Sequence, residues 1–272
     1  MVISKRPKIG LALGSGGARG LTQIGILKVL NENNIPIDFI AGSSAGSVIG
    51  AYYALYENVA GFEKAIRKLS KKDILKLAYA NTTRKGITGE KAMEFLMKII
   101  GNKDFSDTKI PLKIIATDME SGKEIWFDKG KLSEAIRASI SLPGIFFPAK
   151  INGKFYLDGG VVNPTPVDVV KSMGADIVIA VDHTMSSPAK IKDPSIYSSL
   201  MRAFEIIRTQ IAESKIGKMD KNVILIRIEN KKMGDSYNFY NKKFISKGVK
   251  IAREHLEEIK MAIENWENIN YS

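Results

Sequence analysis

Residues 42–46 read GSSAG and stand directly after the apolar run IDFIA. They fit G-x-S-x-G, a pattern in which a serine occupies a sharp strand-to-helix turn and lifts its hydroxyl clear of the sheet edge. Such a turn leaves no room for side chains beside the serine, and Gly42 and Gly46 meet that demand. The chemistry open to Ser44 is nucleophilic attack on an acyl carbon. Small residues also gather where a helix merely packs close to a sheet, so Ser44 needs partners before it reads as a nucleophile. The chain has no cysteine, which removes disulfides, thiolate metal sites and thiol catalysis from consideration.

A serine nucleophile needs a base. The two histidines are His183, after DIVIAVD, and His255, in a Lys-rich C-terminal segment. The order Ser44, Asp158, His183 satisfies the serine, acid, histidine order of α/β-hydrolases. That fold, however, sets several strands ahead of its nucleophile, and only about two fit before residue 44. His183 is therefore expected to be a structural or rim residue. Asp158, in KFYLDGGVV, follows a strand and precedes Gly159 and Gly160. Its carboxylate can sit at a strand end, where crevices form in open α/β sheets. With an ordinary pKa near 3.9 it is a weak base, and desolvation in a crevice would strengthen it. A plain D-G turn is the alternative.

A developing oxyanion needs donors. The loop GSGGARG at 14–20 lies between the first strand and the first helix, where backbone N–H groups face an anion. A dinucleotide fingerprint starting at Gly14 fails at Arg19, and no Gly-Lys-Ser/Thr follows for a nucleotide phosphate loop. An oxyanion hole needs only two amides, and Gly16 and Gly17 can supply them.

These residues require a frame. Strand-like runs occur at 8–14, 37–42, 112–118, 124–128, 155–160, 176–182 and 223–228, most of them continuously apolar. Helical periodicity fills 20–33, 45–57, 60–79, 89–100, 131–139 and 164–173. Strands buried on both faces and alternating with helices predict a three-layer α/β/α fold with a mostly parallel central sheet. Two later stripes, Leu200, Phe204, Ile207 and Ile211, and Ile245, Val249, Ala252, Leu256, Ile259, Ile263 and Trp266, predict helices that dock on this core. A loop is expected over 184–199, and the apolar residues of 60–110 are candidates for an acyl pocket or a lid. A length of 272 residues suits a single domain spanning 1–272.

Formal charge is +12, from 41 Lys and Arg against 29 Asp and Glu. The surface should attract anions such as lipid headgroups, although the cations are spread as on a solvated face. No apolar run nears the roughly 20 residues needed to span a bilayer, so any membrane contact is expected to be peripheral. The protein is expected in the cytoplasm or at the inner membrane face. No aromatic-and-basic module points to nucleic acid. Clustered metal ligands are missing, and no cofactor or metal is expected.

GSGGARG, GSSAG and DGG, in this order and at these strand ends, resemble the patatin-like phospholipases. The stretches KGITGEKAMEFLMKIIG, IPLKIIATDMESGKEIWF, AIRASISLPGIFFPAKINGKFYLDGG and GADIVIAVD follow the same course. The likeness covers about 8–183, and 199–272 matches weakly. It implies a histidine-free Ser44–Asp158 dyad, with the Gly16 and Gly17 amides as oxyanion hole. The family's G-x-G-x-x-G falls on Ser15, Gly17 and Gly20, so a serine stands where the first glycine is usual. Arg19 matches a basic position of the motif and is expected to brace the loop. Asp118, in TDMESG, is expected to hold a turn.

The resemblance implies hydrolysis of lipid acyl esters, releasing fatty acids from phospholipids or lysophospholipids. The alternatives are a broad carboxylesterase or thioesterase with the same dyad, and a non-catalytic adaptor that binds a membrane or a protein.

Overall fold

The computed structural model describes residues 6–70, 72–73, 82–83, 86–184, 195–217, 222–229 and 241–271. Eight strands form one mixed sheet: β1 (Ile9–Leu13), β2 (Phe39–Ser43), β5 (Leu112–Asp118), β6 (Glu124–Phe127), β7 (Ala149–Ile151), β8 (Lys154–Asp158), β9 (Ile177–Asp182) and β10 (Val223–Arg227). The order is β10-β9-β1-β2-β5-β8-β7, with β6 also paired to β5. The first five strands of that path run parallel, while β6, β7 and β8 add antiparallel pairings at the far edge. A separate two-stranded sheet joins β3 (Thr82–Thr83) to β4 (Gly86–Ile87). The helices are α1 (Thr22–Glu32), α2 (Ala45–Tyr56), α3 (Ala60–Lys68), α4 (Glu90–Ile100), α5 (Leu132–Ser139), α6 (Val167–Ser172), α7 (Ile196–Ile216), α8 (Lys243–Glu254) and α9 (Leu256–Tyr271).

The period-2 alternation of the central strands explains the layers. Ile9, Leu11 and Leu13 face the larger core with Ile24, Leu27 and Leu30 of α1. Ala12, Val178 and Ala180 face the opposite side, against Val167, Val169 and Val170 of α6. Gly10 lies under α6, where a Cβ would collide with Val170. Both faces are thus covered, which is why β1 and β9 read as unbroken apolar runs.

The C-terminal stripe docks as expected, with Ile245, Ala252 and Ile259 fully buried. Helix α8 crosses α1 closely: a Cβ on Gly25 would strike Ile245 O, and one on Gly248 would strike Thr22 O. The other stripe does not face the core. Leu200 and Ile207 of α7 are each 56% exposed, while Met201, Glu205, Arg208, Thr209 and Ala212 are buried. The inward face of α7 is largely polar because its partners are polar, as the candidate site shows. Helix α7 also begins inside the expected loop, since Ser195 and Ser198 cap each other reciprocally through backbone N–H bonds of 3.1 and 2.7 Å. The rest of that loop, 185–194, lies outside the described residues, as does most of 71–81.

Strand β7 carries no sequence signal of its own, because three residues give no periodicity. The Asn152–Gly153 turn behind it, with φ of 50° and 83°, is the signal that marks the hairpin to β8. Among the described residues no helix is long and apolar enough to cross a membrane.

The reciprocal glycine contact makes a stability test. Gly248→Val should overpack the α1–α8 crossing and cost about 1–3 kcal/mol. Urea unfolding should show a lower midpoint with an unchanged slope, and an unchanged midpoint would mean the crossing has slack.

Candidate active site

The site forms where β1, β2 and β8 end. Ser44 follows β2 with φ 55° and ψ −119°, a conformation unfavourable for a residue with a Cβ. Close packing imposes it. A Cβ on Gly46 would collide with Leu13 O, and one on Gly42 would stand 2.5 Å from Gly46 O. Hydrogen bonds hold the turn on both sides. Ser44 N donates to Ser139 Oγ at 2.9 Å, and Ser47 Oγ donates to Ser44 O at 2.6 Å.

Asp158 ends β8 and caps the 3-10 turn Gly159–Val161. Its backbone is pinned: Asp158 N donates to Ser141 O at 3.0 Å, and Thr117 Oγ1 donates to Asp158 O at 2.9 Å. Its Oδ2 accepts from Ser44 Oγ at 2.6 Å, and its Oδ1 accepts from Gly160 N at 2.7 Å. Gly159 and Gly160 allow this approach, since Cβ atoms there would press on Ile115 O and on Ser15 Oγ. Burial pushes the Asp158 carboxyl up to about 6, against the opposing pull of the Ser44 and Gly160 hydrogen bonds and the Arg208 cation. A carboxylate tuned to that range, touching a serine hydroxyl, can accept that hydroxyl's proton near neutral pH.

The loop 14–20 leaves β1 and is anchored by its carbonyls and its outer amides. Gly14 N donates to Val181 O at 2.9 Å and Ser15 N to Pro164 O at 2.7 Å. Gln23 Nε2 donates to Gly14 O at 2.7 Å, and Arg208 Nη2 to Ser15 O at 2.8 Å. Among the described residues, the Gly16 and Gly17 amides donate to no protein acceptor. Gly17 has φ 54°, which favours glycine. Gly20 brings the loop onto the start of α2, where a Cβ would lie 2.5 Å from Ala45 Cβ. Arg19 is fully buried, reaching Gly16 O at 3.4 Å and Glu205 Oε1 at 3.3 Å.

Neither histidine is paired with Ser44. His183 is fully buried beneath the loop, where a Cβ on Gly16 would touch its ring. It is a buried residue and not a rim residue. Thr22 Oγ1 lies 2.9 Å from Arg19 O and 2.7 Å from His183 Nε2, which ties the ring to the start of α1. Burial and the Arg19 charge push His183 down to about 3, so it is neutral at physiological pH. His255 lies at the surface, bound to Glu258 at 2.8 Å. Asp118 holds the turn after β5, accepting from the backbone of Ser121 at 2.9 Å and of Glu120 at 3.1 Å. Among the described residues no group of three or more His, Asp or Glu side chains is gathered as metal ligands.

Sequence reasoning missed Ser139, Glu205 and Arg208. Ser139 belongs to the stretch AIRASISLPG, which carried the family likeness without a role for any one residue. Glu205 and Arg208 were hidden in a helix whose apolar stripe drew attention to its other face.

The chain is 36% identical over 196 residues to an uncharacterized NTE family protein of Mycobacterium tuberculosis, covering 71% of this chain and 54% of that protein. Over 180 residues it is 35% identical to lysophospholipase NTE1 of Phaeosphaeria nodorum, covering 64% of this chain and 12% of that protein. Patatin-like phospholipase domain-containing protein 6 of Mus musculus is 34% identical over 182 residues, covering 64% and 13% respectively. The chain therefore spans about half the length of the mycobacterial relative and a small part of the other two. A patatin-like phospholipase family model matches residues 11–171, well over half the chain and inclusive of Ser44, Asp158 and both glycine motifs, and the chain belongs to that family.

Proposed function

We propose that this protein is a serine acyl-ester hydrolase acting on lipids, phospholipids or lysophospholipids, and that the whole chain works as one unit. The observation that carries this reading is the 2.6 Å hydrogen bond from Ser44 Oγ to Asp158 Oδ2, with His183 bonded to Thr22 and His255 to Glu258 instead.

Asp158 Oδ2 takes the Ser44 proton as Oγ attacks the ester carbonyl. The carbonyl oxygen becomes an oxyanion, which the Gly16 and Gly17 amides receive. Collapse expels the alcohol, protonated by Asp158, and leaves acyl-Ser44. Water, deprotonated by the same carboxylate, then attacks the acyl-enzyme; as the acyl–Oγ bond breaks, Asp158 returns that proton to Ser44 Oγ and a fatty acid is released. The lysophospholipase named among the relatives supports a lipid ester as substrate. The +12 net charge supports approach to an anionic lipid surface as a peripheral protein.

Labelling with a fluorophosphonate beside hydrolysis of a short-chain chromogenic ester tests the reading. Wild type should label and turn over, Ser44→Ala should lose both, and Asp158→Asn should lose turnover by a factor of about 10²–10⁴. A wild type that neither labels nor turns over would sink the reading.

The pH profile gives an independent check. Activity needs Asp158 ionised, so kcat/KM should rise through an apparent pKa near 6 and level off above it. A flat profile down to pH 4 would remove Asp158 as the base.

Stability should show the opposite sign. The folded pKa of about 6 lies above the ordinary aspartate value near 3.9, so the stability contributed by protonated Asp158 is full below about pH 4 and lost as pH rises through 6. Asp158→Asn should therefore gain stability over wild type at pH 7.5, on the order of 3 kcal/mol at most, with little gain at pH 4. Equal gains at both pH values would contradict the buried, destabilised carboxylate.

A further inference from the structure

Helix α7 lies beyond the stretch matched by the family model, yet it reaches the loop 14–20. It does so with a buried cluster of three charged side chains. Arg208 and Glu205 carry 6% and 9% side-chain exposure, and Arg19 carries none. Taking three charges from water is expensive and is tolerated only where hydrogen bonds compensate. Here Glu205 Oε1 accepts from Arg19 Nη2 at 3.3 Å and from Arg208 Nη1 at 3.4 Å. The two guanidinium groups spend further donors on adjacent loop carbonyls: Arg208 Nη2 on Ser15 O at 2.8 Å, and Arg19 Nε on Gly16 O at 3.4 Å.

Those two carbonyls matter because of peptide geometry. Ser15 C=O shares its planar unit with Gly16 N–H, and Gly16 C=O shares one with Gly17 N–H. In a trans peptide the oxygen and the hydrogen point in opposite directions. Gripping Ser15 O and Gly16 O from behind therefore aims the Gly16 and Gly17 amides forward. A cationic donor on the carbonyl also polarises the amide and strengthens its N–H as a donor. Gly17, at φ 54°, and Gly16, at φ −162° and ψ 0°, have more backbone freedom than other residues; Gly16 O is held by Arg19 N at 3.1 Å as well as by Arg19 Nε, whereas the side-chain grip on Ser15 O comes from Arg208.

We propose that Glu205 and Arg208 of α7, together with Arg19, are positioning residues that aim and polarise the Gly16 and Gly17 amides as the oxyanion hole. This rests on the hydrolase reading above. It places a determinant of rate in a C-terminal helix and gives the polar inward face of α7 its reason. The effect belongs to the transition state, where the oxyanion exists, and not to ground-state binding.

Steady-state hydrolysis of the chromogenic ester by the full chain, with active sites counted by fluorophosphonate labelling taken to completion, compares wild type with Arg208→Gln, Arg208→Lys and Glu205→Gln. Loss of a whole oxyanion donor costs about 10²–10³ in rate, so misaiming should cost less. Arg208→Gln is expected to lower kcat per labelled site about tenfold to a hundredfold, with KM within about twofold. Affinity for a trifluoromethyl ketone that forms the tetrahedral adduct should fall in step with kcat. Arg208→Lys should recover most of the loss. The donors to Asp158 are the neutral Ser44 hydroxyl and Gly160 amide, and the Arg208 charge pulls its pKa down. Arg208→Gln should therefore shift the acid limb of kcat/KM to higher pH, and Arg208→Lys should not.

Folded Arg208→Gln and Glu205→Gln proteins with lowered Tm but wild-type kcat, ketone affinity and acid limb would overturn the proposal and leave α7 a structural strut. If Arg208→Gln does not fold, Glu205→Gln, which keeps the side-chain shape and an acceptor, decides by the same readouts. A wild type without turnover or labelling would instead sink the hydrolase reading, a result distinct from any variant outcome.

Discussion

A carboxylate held out of water with few donors is the constraint around which this structure is arranged. Asp158 has the Ser44 hydroxyl on one oxygen and the Gly160 amide on the other. Fully solvated, it would be an ordinary acid with little basicity. Given more donors, it would be stabilised as an anion and weakened as a base. The structure keeps it between these extremes, buried yet satisfied, and burial dominates its titration. Gly159 and Gly160 leave no room beside it for a side chain, since Cβ atoms there would press on Ile115 O and on Ser15 Oγ.

That requirement propagates through the sheet. Ser44 and Asp158 lie 114 positions apart and meet because β2 and β8 both flank β5, with Ile40–Ser43 in parallel register and Asp158 opposite Ala116. Ser44 holds a strained conformation that close packing at Gly42 and Gly46 enforces. The strain, of order 1–3 kcal/mol, is sustained by the surrounding core and keeps the hydroxyl directed at Asp158. The loop after β1 closes the third side, and a neutral, buried His183 supports it from beneath.

Buried charge follows from the same logic. Arg19, Arg208 and Glu205 would be a costly cluster in an apolar core, but the backbone carbonyls of Ser15 and Gly16 accept from the two guanidinium groups beside the Glu205 carboxylate. Helix α7 thereby turns polar residues inward and leaves Leu200 and Ile207 in solvent. This reversal shows why hydrophobic periodicity locates a helix more dependably than it orients one. The apolar stripe and the polar stripe have the same period, and only the identity of the facing surface chooses between them.

The sequence alone settled the alternation of strands and helices, the fold class and the family likeness, since these depend on local periodicity and on glycines required by backbone approach within a few residues. It also singled out Ser44, Asp158, Gly16 and Gly17, because motif spacing records strand-end geometry. It was silent on β7, whose three residues are too short to carry a pattern, although Asn152–Gly153 marked its turn. Tertiary structure alone decided that Ser139 receives the Ser44 amide, that His183 is buried and committed to Thr22, and that Glu205 and Arg208 reach the glycine loop. These contacts join residues 95, 161 and 193 positions apart, and a hydrogen bond across such separations leaves no periodic trace, because its partners are chosen by packing and not by spacing along the chain.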